Sequence, residues 1–516
     1  MIADVADVVI VGTGAGGATA ARVLAAAGLD VVMIEEGPEI ALPERRRELL
    51  DAMSLAVRDL ASLTTRGAHP IPLLQGRCVG GSTAINSGIV WRLPEDVRED
   101  WITRLGLGEL VSGKALDQTF ARIEDELGVH QTEREILGGN NELMERGAKA
   151  LGLPGRVIHR NAKGCEGNAR CLQGCPIGAR QSMDVSYIPR AMQDGARLHS
   201  SCRVERVVFS GTRAVAVTGT VRDASTRAKV GRFEVRARRA VIVAASAVWT
   251  PILLERSGFR HRRLGHGFMA HPGAAFVARF REPVHMGFGA SQGYEVPMRD
   301  RGYKLEALGL PPEMLAARLP GAGDEWLARV RDMGHYVQWG AQVRMEARGR
   351  VRGAWGGGAA IDYEPTARDL ERIHEALVTT GRMMLAAGAE EIHPGVAGTP
   401  ETIRTEEEIE TFARTTLRRD QVHLVASHLF GGACASADPS AGVVDARLAA
   451  HGAKGLYVMD ASAFPTNLGV NPQHSIMAVV WRAAERMANE LGAGQVAASG
   501  AAVSRAAVSD AAVLRA

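Results

Sequence analysis

The sequence predicts an α/β protein that begins with a Rossmann-like unit for binding a dinucleotide, and three observations indicate this fold class. Residues 8–11 form a short apolar run typical of a buried strand, and residues 18–27 have the composition of a helix. Between them lies a glycine-rich turn with the pattern G-x-G-x-x-G, and a second apolar strand follows at 31–34. Together these segments make one complete βαβ unit, so we expect a parallel sheet at this end of the chain.

Each glycine of the turn has a physical role in holding a dinucleotide. Gly12 allows the tight turn, Gly14 lets a pyrophosphate approach the backbone, and Gly17 lets the helix pack against the strand. The helix N-terminus supplies N–H groups and partial positive charge for the diphosphate. Glu35 ends the second strand, where a carboxylate accepts hydrogen bonds from a ribose 2′-OH. This stretch predicts a dinucleotide site without distinguishing FAD from NAD.

Composition narrows the class of protein. A chain of 516 residues, 46% hydrophobic and 23% charged, is typical of a soluble globular protein of about two to three domains. The net charge of +3 does not indicate a nucleic-acid partner. The first strand begins within ten residues of Met1, and no apolar run reaches the ~18 residues that span a bilayer. We expect a cytoplasmic protein without a signal peptide or membrane span, and the oligomeric state stays open.

A second glycine-rich loop lies at 76–88. Small residues there leave backbone N–H groups accessible to a cofactor. The residues expected to contact the cofactor are Gly80, Gly81, Ser82 and Asn86. Two such loops in one chain favour a long cofactor held at two points, and therefore FAD.

Four segments resemble the glucose-methanol-choline (GMC) family of flavin oxidoreductases. The pattern G-x-x-x-G-G-S-[ST]-x-x-N at 76–86 is similar to the first signature of that family, and residues 246–258 are similar to the second. Near the C-terminus, 428–432 and 469–472 follow the order and spacing of the family. The resemblance is nearest to its cholesterol oxidase-like and sugar dehydrogenase-like branches.

The resemblance implies two domains. We expect a discontinuous, Rossmann-like FAD-binding domain from residues 1–260 and 425–490, with a Cys-rich insertion near 160–180. Residues 261–424 are expected to form an α+β substrate-binding domain with an antiparallel sheet. Residues 491–516 are rich in Ala, Ser and Val, which predicts a flexible tail.

The resemblance also implies the site residues. His428 takes the position of the catalytic histidine and Asn471 that of its partner, so a neutral His428 would accept the hydroxyl proton while Asn471 holds the substrate oxygen. His474 is a competing base in the first turn of the helix that Asn471 is expected to cap. The further residues expected to contact FAD are Val204, Asp460 and again Asn471.

Three closely spaced cysteines raise a separate question. Cys165, Cys171 and Cys175 have the short spacing of an iron–sulfur ligand run. Their spacing resembles the segment that binds a three-iron cluster in FAD-dependent glucose dehydrogenases. Three interpretations stay open: a 3Fe–4S cluster held by three thiolates, a less favoured zinc site, and simple structural thiols.

The predicted activity is FAD-dependent oxidation of an alcohol to a carbonyl, with hydride transfer to the flavin and oxygen or another electron acceptor. Ile85 precedes Asn86 at the point where some GMC enzymes attach FAD through a histidine, so we expect non-covalent FAD. The favoured substrate is a sugar or amino-sugar alcohol, as in aminoglycoside biosynthesis. The alternatives are a sterol or long-chain alcohol oxidase and a flavin-bearing hydroxynitrile lyase-like enzyme.

Overall fold

The computed structural model describes residues 2–46 and 48–492. The tail predicted for 491–516 lies outside the described residues from 493 onward. The strands, in chain order, are β1 (Ile2–Val11), β2 (Val31–Ile34), β3 (Val129–Gln131), β4 (Arg156–Val157), β5 (His159–Asn161), β6 (Arg197–His199), β7 (Cys202–Ser210), β8 (Arg213–Arg222), β9 (Lys229–Val243), β10 (His266–Phe280), β11 (Tyr294–Met298), β12 (Tyr303–Ala307), β13 (Tyr336–Val343), β14 (Gly349–Gly353), β15 (Ala359–Asp362), β16 (Ala389–His393), β17 (Val425–Phe430) and β18 (Leu456–Val458). The α-helices are α1 (Ala15–Ala26), α2 (Leu49–Ala56), α3 (Glu95–Leu105), α4 (Gly108–Val111), α5 (Gly113–Leu127), α6 (Gly139–Ala150), α7 (Tyr187–Gln193), α8 (Ser246–Arg256), α9 (Pro312–Ala316), α10 (Gly323–Arg331), α11 (Ala367–Ala386), α12 (Glu406–Ala413) and α13 (Gln473–Glu490).

The first sheet confirms the predicted βαβ unit. Strands β6, β2, β1 and β9 are parallel neighbours in that order, and β18 adds to the C-terminal half of β9. The N-terminal half of β9 pairs antiparallel with β8, which pairs with β7. All four residues of β2 are buried, as expected of a parallel strand covered by helices on both faces.

Helix α1 lies tightly against this sheet because its buried face is made of small residues. Ala18, Ala20 and Ala21 are fully buried, and α1 packs on α7 and α13. The helix begins three residues earlier than predicted, at Ala15, so its N-terminus follows Gly14 directly. This places the helix end at the carboxyl edge of β1, where open α/β sheets bind ligands.

The second sheet is antiparallel, as the predicted fold class requires. Its order is β15, β14, β10, β13, β12, β11, β4, and β16 and β17 also pair with β10. Helix α11 covers one face and starts with a capping box between Thr366 and Asp369. Strands β4 and β17 fall inside the ranges expected for the FAD-binding domain, yet they belong to this sheet. The domain boundaries themselves stay a prediction.

Strands β3 and β5 form a separate two-stranded ribbon. Among the described residues, none of the helices combines the length and the apolar character that a membrane crossing needs.

Candidate active site

A cavity of about 770 Å³ runs between the two sheets. One end is lined by the glycine-rich turn after β1 and by the second glycine loop, and we call it the glycine end. The other end is lined by β10, β12, β13 and β17, and we call it the histidine end. A volume of this size is typical of a cofactor or small-molecule site.

The glycines of the first turn divide their tasks as predicted from their spacing. A Cβ on Gly17 would lie 1.9 Å from the Gly12 carbonyl oxygen, and one on Gly12 would lie 2.3 Å from the oxygen of Ala244. Both glycines are therefore required by packing. A Cβ on Gly14 would meet nothing within 4 Å, because Gly14 faces the open cavity.

The glycine end fits a diphosphate. No side chain in the described part of the chain caps the N-terminus of α1, so its first N–H groups are free to bind an anion. The open space at Gly14 lets that anion reach the backbone. These two observations agree with the dinucleotide site that the sequence predicts.

Glu35 lies on the cavity wall and is already hydrogen-bonded. One carboxylate oxygen accepts from the backbone N–H of Thr13 at 3.0 Å and from its hydroxyl at 2.8 Å, and the other accepts from the N–H of Gly37 at 3.0 Å. Burial raises the pKa of Glu35 above its ordinary value. The oxygen that accepts only from Gly37 retains a lone pair, so the predicted ribose contact stays compatible with this geometry.

The second loop meets the first one closely. A Cβ on Gly81 would lie 3.0 Å from the Cα of Gly14, whereas Gly80 packs against Asp184 and does not line the cavity. Ser82 lines the cavity, and Asn86 donates to the side-chain oxygen of Gln473 at the start of α13 at 2.5 Å. The loop therefore connects the glycine end to α13.

Two other predicted cofactor contacts also line the cavity. Val204 does so from β7. Asp460, just after β18, accepts from the backbone N–H of Ser246 at 2.8 Å and from the hydroxyl of Thr250 at 2.5 Å. Asp460 thereby joins α8 to the loop after β18, and burial raises its pKa.

Sequence analysis missed a polar group at the glycine end. Arg58 follows α2 in a segment to which we assigned no function, yet it lines the cavity and pairs with Glu36 at 2.8 Å. Its guanidinium lies 4.7 Å from the ring centroid of Trp249, a cation–π distance. No motif in residues 39–70 indicated this contact.

His428 and Asn471 meet at the histidine end. The Asn471 Nδ2 lies 3.5 Å from the His428 Nε2, and both side chains line the cavity. The register between β10 and β17 shifts where Ala270 pairs with Leu429 and Pro272 pairs with Ala426. This bulge brings His271 opposite His428, with the rings edge to face at 5.6 Å.

Both histidines are neutral at physiological pH. Burial and, second, the ammonium group of Lys304 lower the pKa of His428 from 6.5 to about 3. Burial also lowers the pKa of His271 well below its ordinary value. The His271 Nε2 accepts from the backbone N–H of Gly469 at 3.0 Å, which fixes the orientation of that ring. A neutral imidazole can accept a proton, as the predicted role of His428 requires.

Lys304 is the second functional group that sequence analysis missed. It lies on β12, is fully buried, and donates to the Asn471 side-chain oxygen and to Glu295 at 2.9 Å. The sequence of β12 does not indicate that one of its charged side chains is buried. Only the pairing of β12 with β13 and β11 brings it next to Asn471.

Asn471 does not cap the helix as expected. Helix α13 starts at Gln473 with Pro472 at the N-cap position, one residue later than predicted. The Asn471 side chain bonds to Lys304 and faces His428 instead. Its amide is therefore available for chemistry rather than for capping.

The structure places His474 away from the cavity, contrary to the competing-base interpretation. Gln473 and Ile476 line the cavity, three residues apart on one face of α13, and His474 lies on another face. Its Nε2 is 3.3 Å from Glu124 of α5, and its ring centroid lies 5.2 Å from that of Phe120 in a tilted arrangement. A structural role fits these contacts.

The cysteine cluster gives no support to the iron–sulfur interpretation. Among residues 2–46 and 48–492, no group of three or more His, Cys, Asp or Glu side chains is arranged to hold a metal ion. Arg160 lies beside the thiols instead, with Nη2 3.5 Å from the Cys171 sulfur and Nη1 3.9 Å from the Cys165 sulfur. Burial acts to raise the pKa of Cys171, but the guanidinium groups of Arg160 and Arg180 outweigh it, so that pKa lies below its ordinary value. Cys175 is buried nearby as a free thiol.

Comparisons with known proteins identify the family. Models described as GMC oxidoreductase match residues 6–273 and 346–479. The chain therefore belongs to the GMC oxidoreductase family, whose members bind FAD. It is an enzyme of the oxidoreductase class.

Three curated relatives and one solved structure are similar over most of the chain. An uncharacterised GMC-type oxidoreductase of Mycobacterium tuberculosis is 36% identical over 93% of this chain and 75% of its own length. A long-chain-alcohol oxidase of Arabidopsis thaliana is 26% identical over 93% of this chain and 66% of its own. Paromamine 6′-oxidase of Streptomyces fradiae is 26% identical over 94% of this chain and 92% of its own. The crystal structure of pyridoxine 4-oxidase from Mesorbium loti matches 93% of this chain and 99% of its own chain, with a TM-score of 0.70 and 20% sequence identity. The two proteins share the fold.

Proposed function

We propose that this protein is an FAD-dependent alcohol oxidoreductase that converts a CH–OH group of a polar substrate, a sugar or amino sugar, into a carbonyl group. The observation that carries the proposal is the pairing of His428 with Asn471 in the wall of the cavity that also contains the glycine loops. FAD, when bound, supplies the group that accepts the hydride. Residues that would hold it are Gly14, Glu35, Ser82, Asn86 and Asp460.

Two side chains at the histidine end accept the substrate proton and hold the substrate oxygen. Neutral His428 accepts the hydroxyl proton at Nε2, and its lowered pKa keeps the ring unprotonated and available at neutral pH. Asn471 donates from Nδ2 to the substrate oxygen and keeps it beside the base.

Buried polar groups in the cavity wall support a polar substrate. Gln338 is 3% exposed, and its side-chain oxygen has no hydrogen-bond partner among the described residues. Glu306 is 6% exposed and accepts from Gln292 at 2.7 Å. A hydroxyl or ammonium group of a substrate can donate to these oxygens. An alkyl chain would leave the Gln338 oxygen unpaired, which costs about 1–3 kcal/mol. Paromamine 6′-oxidase is a relative of this substrate class, although its 26% identity equals that of the long-chain-alcohol oxidase.

A second candidate substrate is a long-chain alcohol. Leu308, Leu310 and Met314 give the cavity an apolar section, and the Arabidopsis thaliana relative is a long-chain-alcohol oxidase. The unpaired Gln338 oxygen argues against an alkyl chain at that position.

An anaerobic visible spectrum of the purified FAD-loaded enzyme tests the proposal. Sugars, aminoglycosides, sterols and long-chain alcohols are added in turn, and we expect only the polar classes to bleach the flavin bands. Gln338→Leu should weaken bleaching by polar alcohols about tenfold or more, and bleaching by long-chain alcohols should be unchanged or stronger.

Bleaching by long-chain alcohols alone would select the second candidate. Cleavage of a cyanohydrin with no bleaching by any alcohol would indicate a lyase and contradict both. Readmitting oxygen to the reduced enzyme identifies whether oxygen is the acceptor.

A further inference from the structure

A charged lysine is completely enclosed beside the proposed catalytic pair. The side chain of Lys304 has 0% exposure, and its ammonium group contacts three oxygen-bearing side chains. Glu295 lies at 2.9 Å, and Glu306 and the Asn471 side-chain oxygen complete the set. The ring centroid of Trp91 lies 5.5 Å away.

The surroundings keep Lys304 charged. Burial by itself would lower the pKa of Lys304, but Glu295 and Glu306 outweigh it, so the pKa lies above its ordinary value. Glu295 is in turn held by Arg156 at 2.8 Å and by the indole N–H of Trp91 at 3.0 Å. A buried cation with this many aligned partners is costly to desolvate, and such networks commonly serve a specific geometry.

The ammonium group fixes which way the Asn471 amide points. An ammonium is a donor only, so it accepts nothing and must face the amide oxygen. With its oxygen toward Lys304, Asn471 directs its Nδ2 toward His428 and the cavity. Reversing the amide would bring two donors face to face at Lys304 and present an acceptor to the substrate oxygen.

We propose that Lys304 is a positioning residue that holds the Asn471 amide in the orientation that donates to the substrate oxygen next to His428. The proposal rests on the roles proposed above for Asn471 and His428. It explains why β12, a strand of the second sheet, carries a buried charge at the point where the loop before α13 passes it.

The titratable groups around His428 come from three strands. Lys304 and Glu306 lie on β12, Glu295 on β11 and His271 on β10. Because Lys304 acts to lower the pKa of His428, removing the ammonium group should raise that pKa. The acid limb of the kcat/KM profile should therefore move to higher pH in Lys304→Met. At pH 8 His428 is neutral in both enzymes, so activity at that pH reports on the orientation of Asn471.

The kinetic test compares Lys304→Met with a charge-balanced variant, Lys304→Met with Glu295→Gln. The single change leaves two buried carboxylates without their partner, so the double variant guards against misfolding. At pH 8 we expect kcat to fall about 10- to 100-fold in both, with KM changing less than about threefold, because an oriented hydrogen bond is lost. Lys149→Met is the matched control. That lysine pairs with Glu145 at 2.9 Å on the surface, and its loss should leave kcat unchanged.

A readout without substrate keeps this proposal separate from the proposed function. The side-chain NH2 signals of Asn471 are recorded in the FAD-loaded protein labelled with ¹⁵N-asparagine and are assigned by their loss in Asn471→Asp. We expect them to shift or broaden in the double variant and to stay in place in Lys149→Met. Unchanged Asn471 signals, or a double variant with the kcat of the unaltered enzyme, would overturn the proposal. Shifted signals in an enzyme that oxidises no alcohol would support the positioning of Asn471 and reject the proposed function instead.

Discussion

The two ends of the cavity are built on opposite principles. At the glycine end, the shape depends on side chains that are absent: Gly12 and Gly17 allow close backbone contacts, and Gly14 leaves open space. At the histidine end, the shape depends on side chains that meet from separate strands, with His271, Lys304 and His428 brought together by the antiparallel sheet.

This difference predicts that substitutions at the two ends of the cavity impair different properties of the protein. Where backbone atoms form the site, an added side-chain atom occupies space that the fold or the cofactor needs. Substitutions of glycines at the glycine end should therefore affect folding or FAD binding. A side-chain constellation is damaged by loss of a functional group, so changes at the histidine end should affect turnover in a protein that still folds and keeps FAD.

The largest loss of turnover is expected from a substitution at the histidine end. His428→Asn removes the proposed proton acceptor, so we expect kcat to fall about 10²- to 10⁴-fold while FAD content stays the same. The assay is turnover of whichever alcohol bleaches the flavin, together with the ratio of flavin to protein absorbance. His474→Asn is the control, because His474 faces Glu124 away from the cavity, and it should retain near-normal turnover. The reverse ranking of these two variants would return His474 to the role of base.

An intermediate effect is expected from two neighbouring glycines. Gly17→Ala places a methyl group on the Gly12 carbonyl and should destabilise the protein by about 1–3 kcal/mol or more. Gly14→Ala meets no protein atom, so its FAD-free form should unfold like the unaltered FAD-free protein. It should nevertheless bind FAD about ten- to a hundredfold more weakly, because the methyl group occupies the approach of the diphosphate. Thermal unfolding and FAD titration measure the two effects, and equal behaviour of both variants would contradict the division of tasks.

The smallest effect is a dependence of stability on acid. In the folded protein the pKa of His428 is lowered from 6.5 to about 3, so between these values the unfolded chain takes up a proton that the folded chain does not. Stability is therefore retained above about pH 6.5 and declines as the pH falls toward 3. His428 contributes a slope of at most about 1.4 kcal/mol per pH unit. Denaturant unfolding at pH 7, 6 and 5 should show a shallower decline in His428→Asn, and parallel declines would mean that His428 is not buried as a neutral group.

The residues that sequence analysis placed well are those whose role depends on local conformation. The turn after β1 and the parallel pairing of β1 with β2 follow from glycine spacing and apolar runs. The predictions that changed involve partners far away in the chain. The Asn471 side chain bonds to Lys304 rather than capping α13, and His474 faces α5. The cysteine spacing left a 3Fe–4S cluster and structural thiols open, and no group of three or more possible ligands among the described residues is arranged to hold a metal ion.

By itself, the sequence determined the Rossmann-like unit, the two glycine loops and the resemblance to the GMC family, because a tight turn or a helix start depends on residues within a few positions of one another. Only the tertiary structure decided that Lys304 is buried beside Asn471 and that His271 faces His428. Those contacts join β10, β12, β17 and the loop before α13, and they depend on strand register and on the cost of leaving a charge unpaired. Neither register nor burial is encoded in the spacing of the residues concerned.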